Sequence, residues 1–212
     1  MFKRILLMGP PGSGKSTVGE YLTSALHLPL ISVGKTLRNL PEDHVHKLTV
    51  ESFMDSGSLA PTNIVAGILQ ERLQQPDVAN GFILDGWGRT RENIAFYDPK
   101  VDVVIYISLP EEEIIKRITG RRICEENGHS CNIFETSSEA PLSCSQCEGK
   151  LIQRDDDTLP VVQHRIDIFN KETLPVIGDY LMLGLVHEVS GLGDPTTIAL
   201  SILNIIKKGN NG

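Results

Sequence analysis

The stretch RILLMGPPGSGKST, from Arg4 to Thr17, decides the fold of this chain. It begins with an apolar run of strand length and continues into a glycine-rich turn with the pattern G-x-x-x-x-G-K-S. The residues TVGEYLTSAL that follow show the apolar spacing of a helix. Strand, glycine turn and helix in this order predict a phosphate loop, in which backbone N–H groups and the positive end of the helix surround phosphate oxygens. We therefore expect a nucleoside triphosphate to bind here.

Each residue type of this loop has a predicted task. Lys15 would reach the outer phosphates, and the hydroxyl of Ser16 would ligate Mg²⁺. Asp85 ends a later apolar run at the predicted carboxyl edge of the sheet, where it would hold the same Mg²⁺ through water. The predicted triphosphate-binding residues of the loop are Gly9, Pro11, Gly12, Ser13, Gly14, Lys15, Ser16 and Thr17.

Apolar runs of strand length recur after the first one. They are LPLIS at residues 28–32, FILD at 82–85, VDVVIYISL at 101–109 and LVHEV at 185–189. Most are nearly continuous, which is typical of strands buried on both faces of a parallel sheet. Helical patterns such as PTNIVAGILQERL and PEEEIIKRI separate them. The alternation predicts a doubly wound α/β domain with a five-stranded parallel sheet.

Two segments interrupt this alternation. Residues 33–60 lie between the second strand and the next helix, and residues 119–160 carry all the cysteines and few apolar runs. We interpret both as lobes inserted into a core made of residues 1–32, 61–118 and 161–212.

Charge and composition limit the classes of function. The 212 residues carry a net charge of -7 with a pI of about 5.4, whereas proteins that wrap nucleic acid need a basic face. The first residues, MFKRILLMGPPG, hold too few consecutive apolar side chains for a signal segment or a membrane span. Clustered cysteines in a cytosolic chain favour metal binding over disulfides. We expect a cytoplasmic protein that binds neither nucleic acid nor membrane.

The motifs GPPGSGKST, ISVGKTLR, DGWGRT, RITGRRIC and RDDD, followed by Arg165, stand in this order along the whole chain. The order resembles the adenylate kinase family of nucleoside monophosphate kinases, in its form with a long lid. The resemblance implies a core sheet, a small acceptor lobe at residues 33–60 and a mobile lid at residues 119–160. It also implies that Mg·ATP is the donor, AMP the acceptor and ADP the product, and that the protein is a monomer.

The resemblance further implies roles for individual residues. In addition to the loop, the residues that would bind ATP are Arg117 and Arg121. The residues that would bind AMP are Ser32, Val33, Arg38, Gly86, Arg89, Asn93, Arg154 and Arg165. The residues that would carry catalysis are Lys15, Arg89, Arg121, Arg154 and Arg165. Guanidinium groups suit these roles because they bind phosphate oxygens bidentately.

Two interpretations of RDDD stay open. Such a run is normally a solvated cluster of charge, whereas the family places Asp156 and Asp157 at the hinge of the lid, where they would pair with lid arginines on closure. Arg122 is left out of the predicted site.

The cysteine cluster predicts a structural metal ion, and thiolate ligands at this spacing favour Zn²⁺. Three cysteines stand where long-lid members of the family carry ligands. They are Cys124, Cys144 and Cys147. The family's usual second cysteine, three residues after the first, is Asn127 here, so the remaining ligand is either His129, in a C-x4-H arrangement, or Cys131. The first spacing is closer to known knuckles and favours His129.

The acceptor motifs depart from the family pattern. Trp87, Gly88 and Asn93 replace Phe, Pro and the Gln that reads adenine, and Val33 and Lys35 replace Thr and Asp. A site with fewer polar partners discriminates less between bases. AMP remains the predicted acceptor. The alternatives are a pyrimidine monophosphate acceptor, a nucleotide-binding relative with little turnover, and a zinc-ribbon nucleic-acid binder, which the acidic charge disfavours.

Overall fold

The computed structural model describes residues 1–134 and 143–209. The strands are β1 (Arg4–Met8), β2 (Leu30–Ser32), β3 (Phe82–Asp85), β4 (Val103–Ser108), β5 (Arg121–Cys124), β6 (Ser130–Asn132), β7 (Leu151–Ile152) and β8 (Val186–Ser190). The α-helices are α1 (Lys15–Leu26), α2 (Val33–Arg38), α3 (Lys47–Asp55), α4 (Thr62–Arg72), α5 (Arg91–Phe96), α6 (Glu111–Gly120), α7 (Leu159–Ile168), α8 (Leu174–Met182) and α9 (Pro195–Lys208). Short 3₁₀ turns cover Pro76–Val78 and Asp155–Asp157.

The main sheet has the strand order β2-β3-β1-β4-β8, and its paired strands are all parallel. This confirms the predicted α/β class and the five-stranded parallel sheet. The predicted runs at 4–8 and 82–85 match β1 and β3, and the bounds of the other three differ by one or two residues. The run at 28–32, for example, forms a strand only from Leu30 onward, because Pro29 has no N–H to donate to a neighbouring strand.

Alternate residues of β1 face opposite layers of the core. Leu6 and Met8 belong to a cluster that includes α4, α8 and Trp87. Ile5 and Leu7 belong to a second cluster with α1 and α9. Because side chains of a strand alternate between faces, a sheet covered by helices on both sides needs apolar residues at every position, which explains the continuous runs.

The segments predicted as inserted lobes contain elements outside the main sheet. Residues 33–60 include α2 and α3, and β5, β6 and β7 form a small antiparallel sheet in the order β6-β5-β7. Residues 135–142 of the predicted lid, and residues 210–212 of the predicted core, lie outside the described residues. None of the helices within 1–134 and 143–209 combines the length and apolar character that crossing a bilayer requires.

One long helical rod spans residues 159–182. It consists of α7, a π-helical segment at Phe169–Thr173 and α8. Pro175 stands near the start of α8, and its missing N–H removes one bond of the regular α-helical ladder, which explains a wider turn at this point. The rod carries Arg165 toward the carboxyl edge of the sheet.

Candidate active site

The phosphate loop joins β1 to α1 at the carboxyl edge of the main sheet. A Cβ on Gly9 would collide with the carbonyl oxygen of Ile107, so the backbone can pass here only as glycine. Lys15 Nζ folds over the loop and donates to the carbonyl oxygens of Gly9 (2.9 Å) and Pro10 (2.8 Å) and to Oγ of Ser13 (3.1 Å). The ammonium therefore lies at the centre of the cradle that the glycines form.

Electrostatics at Lys15 connect the loop to the predicted arginines. Desolvation lowers the pKa of Lys15 to about 8, and nearby guanidinium charges act in the same direction. These charges belong to Arg89, Arg165 and Arg121. The carboxylate of Asp85 acts in the opposite direction. Lys15 thus lies among positive groups from three other parts of the chain, an arrangement that favours a bound polyanion.

Two hydroxyls meet the buried carboxylate at the end of β3. Ser16 Oγ donates to Asp85 Oδ2 over 2.8 Å, and Ser32 Oγ donates to the same oxygen over 3.2 Å. A hydroxyl and a carboxylate beside a phosphate cradle are oxygen donors of the type that Mg²⁺ uses together with substrate phosphates. The predicted pair, Ser16 and Asp85, is therefore in direct contact, and Ser32 joins it.

The loop after β3 presents Arg89. Trp87 is 1% exposed, and its Nε1 donates to the carbonyl oxygen of Tyr97 over 3.1 Å, so the indole anchors the loop in the core. Gly88 has a φ of +68°, so the loop takes a conformation here that the proline of the family pattern could not adopt. Arg89 is exposed to the cleft, yet surrounding protein atoms partly desolvate its head and lower its pKa.

Asn93 has a different set of contacts from the one the sequence suggested. Its Oδ1 accepts from the backbone N–H groups of Arg89 (3.0 Å) and Thr90 (3.2 Å), and its Nδ2 donates to Thr62 Oγ1 (2.9 Å). Thr90 is the N-cap of α5 and completes a capping box with Asn93. Both acceptor positions of the amide oxygen are therefore used, and one N–H of the amide remains for a base.

Asp156 gathers arginines from three segments. Arg154 holds it with two hydrogen bonds, one of 2.7 Å from Nε. Arg165 Nη1 and Arg38 Nη2 each donate to its Oδ2 over 3.2 Å. Burial alone would raise the pKa of Asp156, but the hydrogen bond from Arg154 and the charges of Arg154 and Arg165 lower it below its usual value. The predicted acceptor-binding arginines Arg38, Arg154 and Arg165 are thus brought together.

Asp157, which is fully buried, holds the lid arginine. Arg121 binds it through both Nε, at 2.7 Å, and Nη2. Arg165 Nη1 lies 3.4 Å from the same carboxylate. Asp156 and Asp157 are therefore buried and paired with arginines, whereas Asp155 of the same run is exposed.

Arg117 and Arg122 have local partners. Arg117 Nε donates to Glu113 on the preceding turn of α6 over 2.8 Å, which is an ordinary helical pair. Arg122 Nη1 donates to the carbonyl oxygens of Thr119 and Arg121 at the end of the same helix, a site where a cation is favoured by the helix dipole.

The lid contains a compact donor set. Cys124, His129, Cys144 and Cys147 place one ligand atom each within 4.8 Å of one another. The distances are 3.5 Å from Cys124 Sγ to Cys147 Sγ, and 3.4 and 3.5 Å from His129 Nδ1 to the sulfurs of Cys144 and Cys147. Zn–S bonds of about 2.3 Å separate the ligand atoms of a tetrahedron by roughly 3.5 to 3.8 Å. The donor chemistry and spacing fit Zn²⁺, with His129 rather than Cys131 in the set.

The backbone supports these donors. A hydrogen bond from the Gly149 N–H and a second one from Asn127 lower the pKa of Cys147 to about 6, which favours the thiolate that metals require. A Cβ on Gly149 would lie 2.8 Å from Cys124 Sγ, so glycine leaves the space that this sulfur occupies.

Sequence reasoning missed Thr173. Its Oγ1 donates to the carbonyl oxygen of Arg89 over 2.9 Å, across 84 positions of sequence. The sequence around a helical threonine does not reveal such a contact, because the partner of the hydroxyl is a main-chain atom in a distant loop.

A phosphate loop, a cluster of arginines facing it and a lid with metal donors define the protein as a nucleoside monophosphate kinase with a P-loop core. Residues 7–184 match the family described as ADK, adenylate kinase. The chain belongs to the adenylate kinase family.

Curated relatives match along nearly their whole length. An adenylate kinase of Streptomyces avermitilis is 35% identical over 216 residues, which cover 97% of this chain and 97% of that protein. One of Methanothrix thermoacetophila is 35% identical over 216 residues, covering 96% of this chain and 98% of that protein. One of Clostridium botulinum is 35% identical over 211 residues, with 96% and 98% covered.

Proposed function

We propose that the protein transfers the terminal phosphoryl group of ATP reversibly to AMP and so forms two ADP. The observation that carries this proposal is the meeting of Arg38, Arg154 and Arg165 at Asp156. These arginines come from α2, the end of the lid and α7, and the charge of Arg165 acts on Lys15 in the phosphate loop. Guanidinium groups that converge opposite a phosphate loop can bind the phosphates of a donor and an acceptor and hold them close together.

On the donor side, the loop residues would bind the phosphates of ATP through their N–H groups, and Lys15 would neutralise the outer ones. Arg121 would follow with the lid, and Arg117 at the foot of the lid would contribute charge nearby. Ser16 and Asp85 would hold Mg²⁺, directly and through water respectively. When bound, this ion neutralises charge on the donor phosphates.

On the acceptor side, Arg38 and Arg89 would bind the phosphate of AMP. A phosphate oxygen of AMP attacks the γ phosphorus of ATP, the bond from that phosphorus to the bridging β oxygen breaks, and ADP leaves. The acceptor phosphate is already ionised, so no general base is required. The rate acceleration comes from aligning the attacking oxygen with the γ phosphorus. Arg154 and Arg165 would stabilise the group in transfer by exchanging Asp156 for phosphate oxygens.

The base of AMP would lie near Ser32, Val33, Gly86 and Asn93. A Cβ on Gly86 would lie 3.1 Å from Arg89 Nη2 and 3.7 Å from Val33 Cβ, so these residues surround one space. Asn93 would donate its remaining N–H to a ring nitrogen of the base. Because its oxygen is occupied, it would contribute little to rejecting a different base.

We propose a modular arrangement in which residues 33–60 bind the acceptor and residues 119–160 form the lid. Zn²⁺ held by Cys124, His129, Cys144 and Cys147 would stiffen a lid whose sheet is too small to bury a core of its own. Closure of both segments would exclude water, which would otherwise accept the phosphoryl group.

The test is transfer from Mg·ATP to AMP, CMP, UMP and GMP, with purified Lys15→Ala protein to exclude a contaminating kinase. We expect AMP to give the highest kcat/KM. Preference for CMP or UMP would replace the acceptor while leaving the donor site in place. Absence of transfer to every acceptor would overturn the proposal in favour of a nucleotide-binding protein.

A further inference from the structure

Arg89 is held at its main chain by side chains on both sides. Its N–H donates to Asn93 Oδ1 over 3.0 Å, and its carbonyl oxygen accepts from Thr173 Oγ1 over 2.9 Å. Asn93 is local to the loop, whereas Thr173 belongs to the helical rod and is only 5% exposed. The peptide groups that flank the Arg89 Cα are therefore fixed from two directions.

The loop needs such support because its own geometry is permissive. Arg89 lies between the end of β3 and the start of α5, outside both elements. Gly86 and Gly88 precede it in left-handed conformations, with φ of +87° and +68°. Glycines leave φ and ψ free to vary, so a small rotation before Arg89 would move its guanidinium away from the cleft.

The π-helical segment presents Thr173 in an unusual way. The hydroxyl of a helical threonine commonly bonds to a carbonyl three or four residues earlier in its own helix. Thr173 donates to Arg89 instead. π-Helical turns in α-helices often occur at functional sites. Thr173 follows Arg165 by about two helical turns, so one rod carries two links to the arginine cluster.

We propose that Thr173 is a positioning residue for Arg89, and through Arg89 for the acceptor phosphate. The inference rests on the proposed function, in which Arg89 binds that phosphate. The same rod makes a second link nearby, in which Arg91 at the start of α5 donates to Asp179 over 2.6 Å, but this pair is exposed and contributes little. Of the two links from the rod, the buried bond from Thr173 is therefore the one that holds the main chain of Arg89.

The first test compares Thr173→Val, which removes the hydroxyl but keeps the branched shape, with Thr173→Ser, which keeps the hydroxyl. Loss of one neutral hydrogen bond corresponds to about a three- to tenfold effect. We expect the Val variant to lose this factor in kcat/KM for AMP and in the calorimetric affinity for AMP. In the Val variant, KM for ATP should stay within about twofold of the parent value. In the Ser variant, the affinity for AMP should also stay within about twofold of the parent value.

A double-mutant cycle separates positioning from general damage. In an Arg89→Ala background, Thr173→Val has no guanidinium to misplace, so we expect no further loss of AMP affinity. An equal loss in both backgrounds, or failure of the Ser variant to restore affinity, would overturn the proposal. If the Val variant does not fold, as judged by its thermal unfolding, Thr173→Ala takes its place in the same cycle.

The binding cycle needs neither ATP nor turnover, so it separates the two proposals. If the parent protein neither binds nor phosphorylates AMP, the proposed function fails. The cycle is then measured with whichever of CMP, UMP and GMP binds, and Thr173 is judged by whether its effect depends on Arg89.

Discussion

Lys15 shows how single residues of the site are adjusted by their neighbours. Its ammonium bonds to loop carbonyls, lies near the carboxylate of Asp85 and experiences the charges of Arg89, Arg121 and Arg165. Desolvation and the arginines together lower its pKa to about 8. Phosphates that replace the carbonyls would restore the stability of the charged form, because opposite charge raises the pKa of an amine.

We therefore expect kcat/KM for ATP to decrease above about pH 8, where Lys15 of the free enzyme loses its proton. The value of kcat should persist to higher pH, since bound phosphates keep the amine charged. Initial rates from about pH 6.5 to 10 test this, with Lys15→Arg as the control, because arginine stays protonated throughout. A flat kcat/KM profile in the parent protein would contradict the lowered pKa.

The lowered pKa of Lys15 also makes the stability of the protein depend on pH. In the unfolded chain Lys15 keeps its proton up to the ordinary lysine pKa of 10.5, whereas the native protein releases it from about pH 8. Between these values the unfolded state holds more protons, so the contribution of Lys15 to stability rises with pH in that window.

Residues whose chemistry is local were predictable, and residues that act at a distance were not. The phosphate loop follows from its own pattern, the resemblance to the family indicated Cys124, and the C-x4-H spacing favoured His129 over Cys131. The capping role of Asn93 had a weak signal in the pattern T-x-x-N, which resembles a capping box. Thr173 had none, because its partner is the carbonyl oxygen of a residue 84 positions away.

Among the secondary-structure elements, the length of the apolar runs decided which strands could be predicted from the sequence. The five strands of the main sheet were all located from apolar runs, although His187 and Glu188 interrupt the run of β8. Two strands match their predicted bounds, and the ends of the other three are displaced by one or two residues. The strands β5, β6 and β7 have only two to four residues each, and β5 and β6 include polar side chains. Such strands are stabilised by their surroundings, in this case the metal donors beside them, rather than by a periodic pattern.

This small sheet gives a prediction about metal removal. We expect about one Zn²⁺ per chain by elemental analysis, and we expect chelation to lower the unfolding temperature and kcat. Cys147→Ser should reproduce both losses, because a hydroxyl is a poor ligand for zinc. Cys131→Ser is the matched control, since the donor set includes His129 in its place. Equal loss of zinc in both variants would assign the fourth ligand to Cys131.

Across the whole molecule, one carboxylate links segments that are far apart in sequence. Asp156 accepts from Arg38 in α2, across 118 positions, and from Arg165 in α7. Its lowered pKa means that this stabilisation is complete above the ordinary carboxyl range and is lost only as pH falls through the native value. The buried carboxylates of this acidic protein thereby neutralise the cluster of arginines around them.

The final prediction concerns the competition between Asp156 and substrate for these arginines. In Asp156→Asn the shape is kept, but Arg38, Arg154 and Arg165 repel one another without a compensating charge. We expect stability to fall by about 1 to 3 kcal/mol, less than for a fully buried pair because Arg38 is partly exposed. Bound phosphate relieves the repulsion, so AMP should bind several-fold more tightly.

Chemical unfolding and calorimetry of AMP binding measure the two effects, and Asp155→Asn, an exposed neighbour in the same turn, is the control. Opposite signs for stability and affinity would mean that Asp156 occupies, in the resting protein, the position that phosphate takes during transfer. A loss of both would instead mean that Asp156 orients the arginines and remains bound to them when AMP arrives. The two cases differ physically, because a competing anion must be displaced by substrate whereas an orienting one must stay.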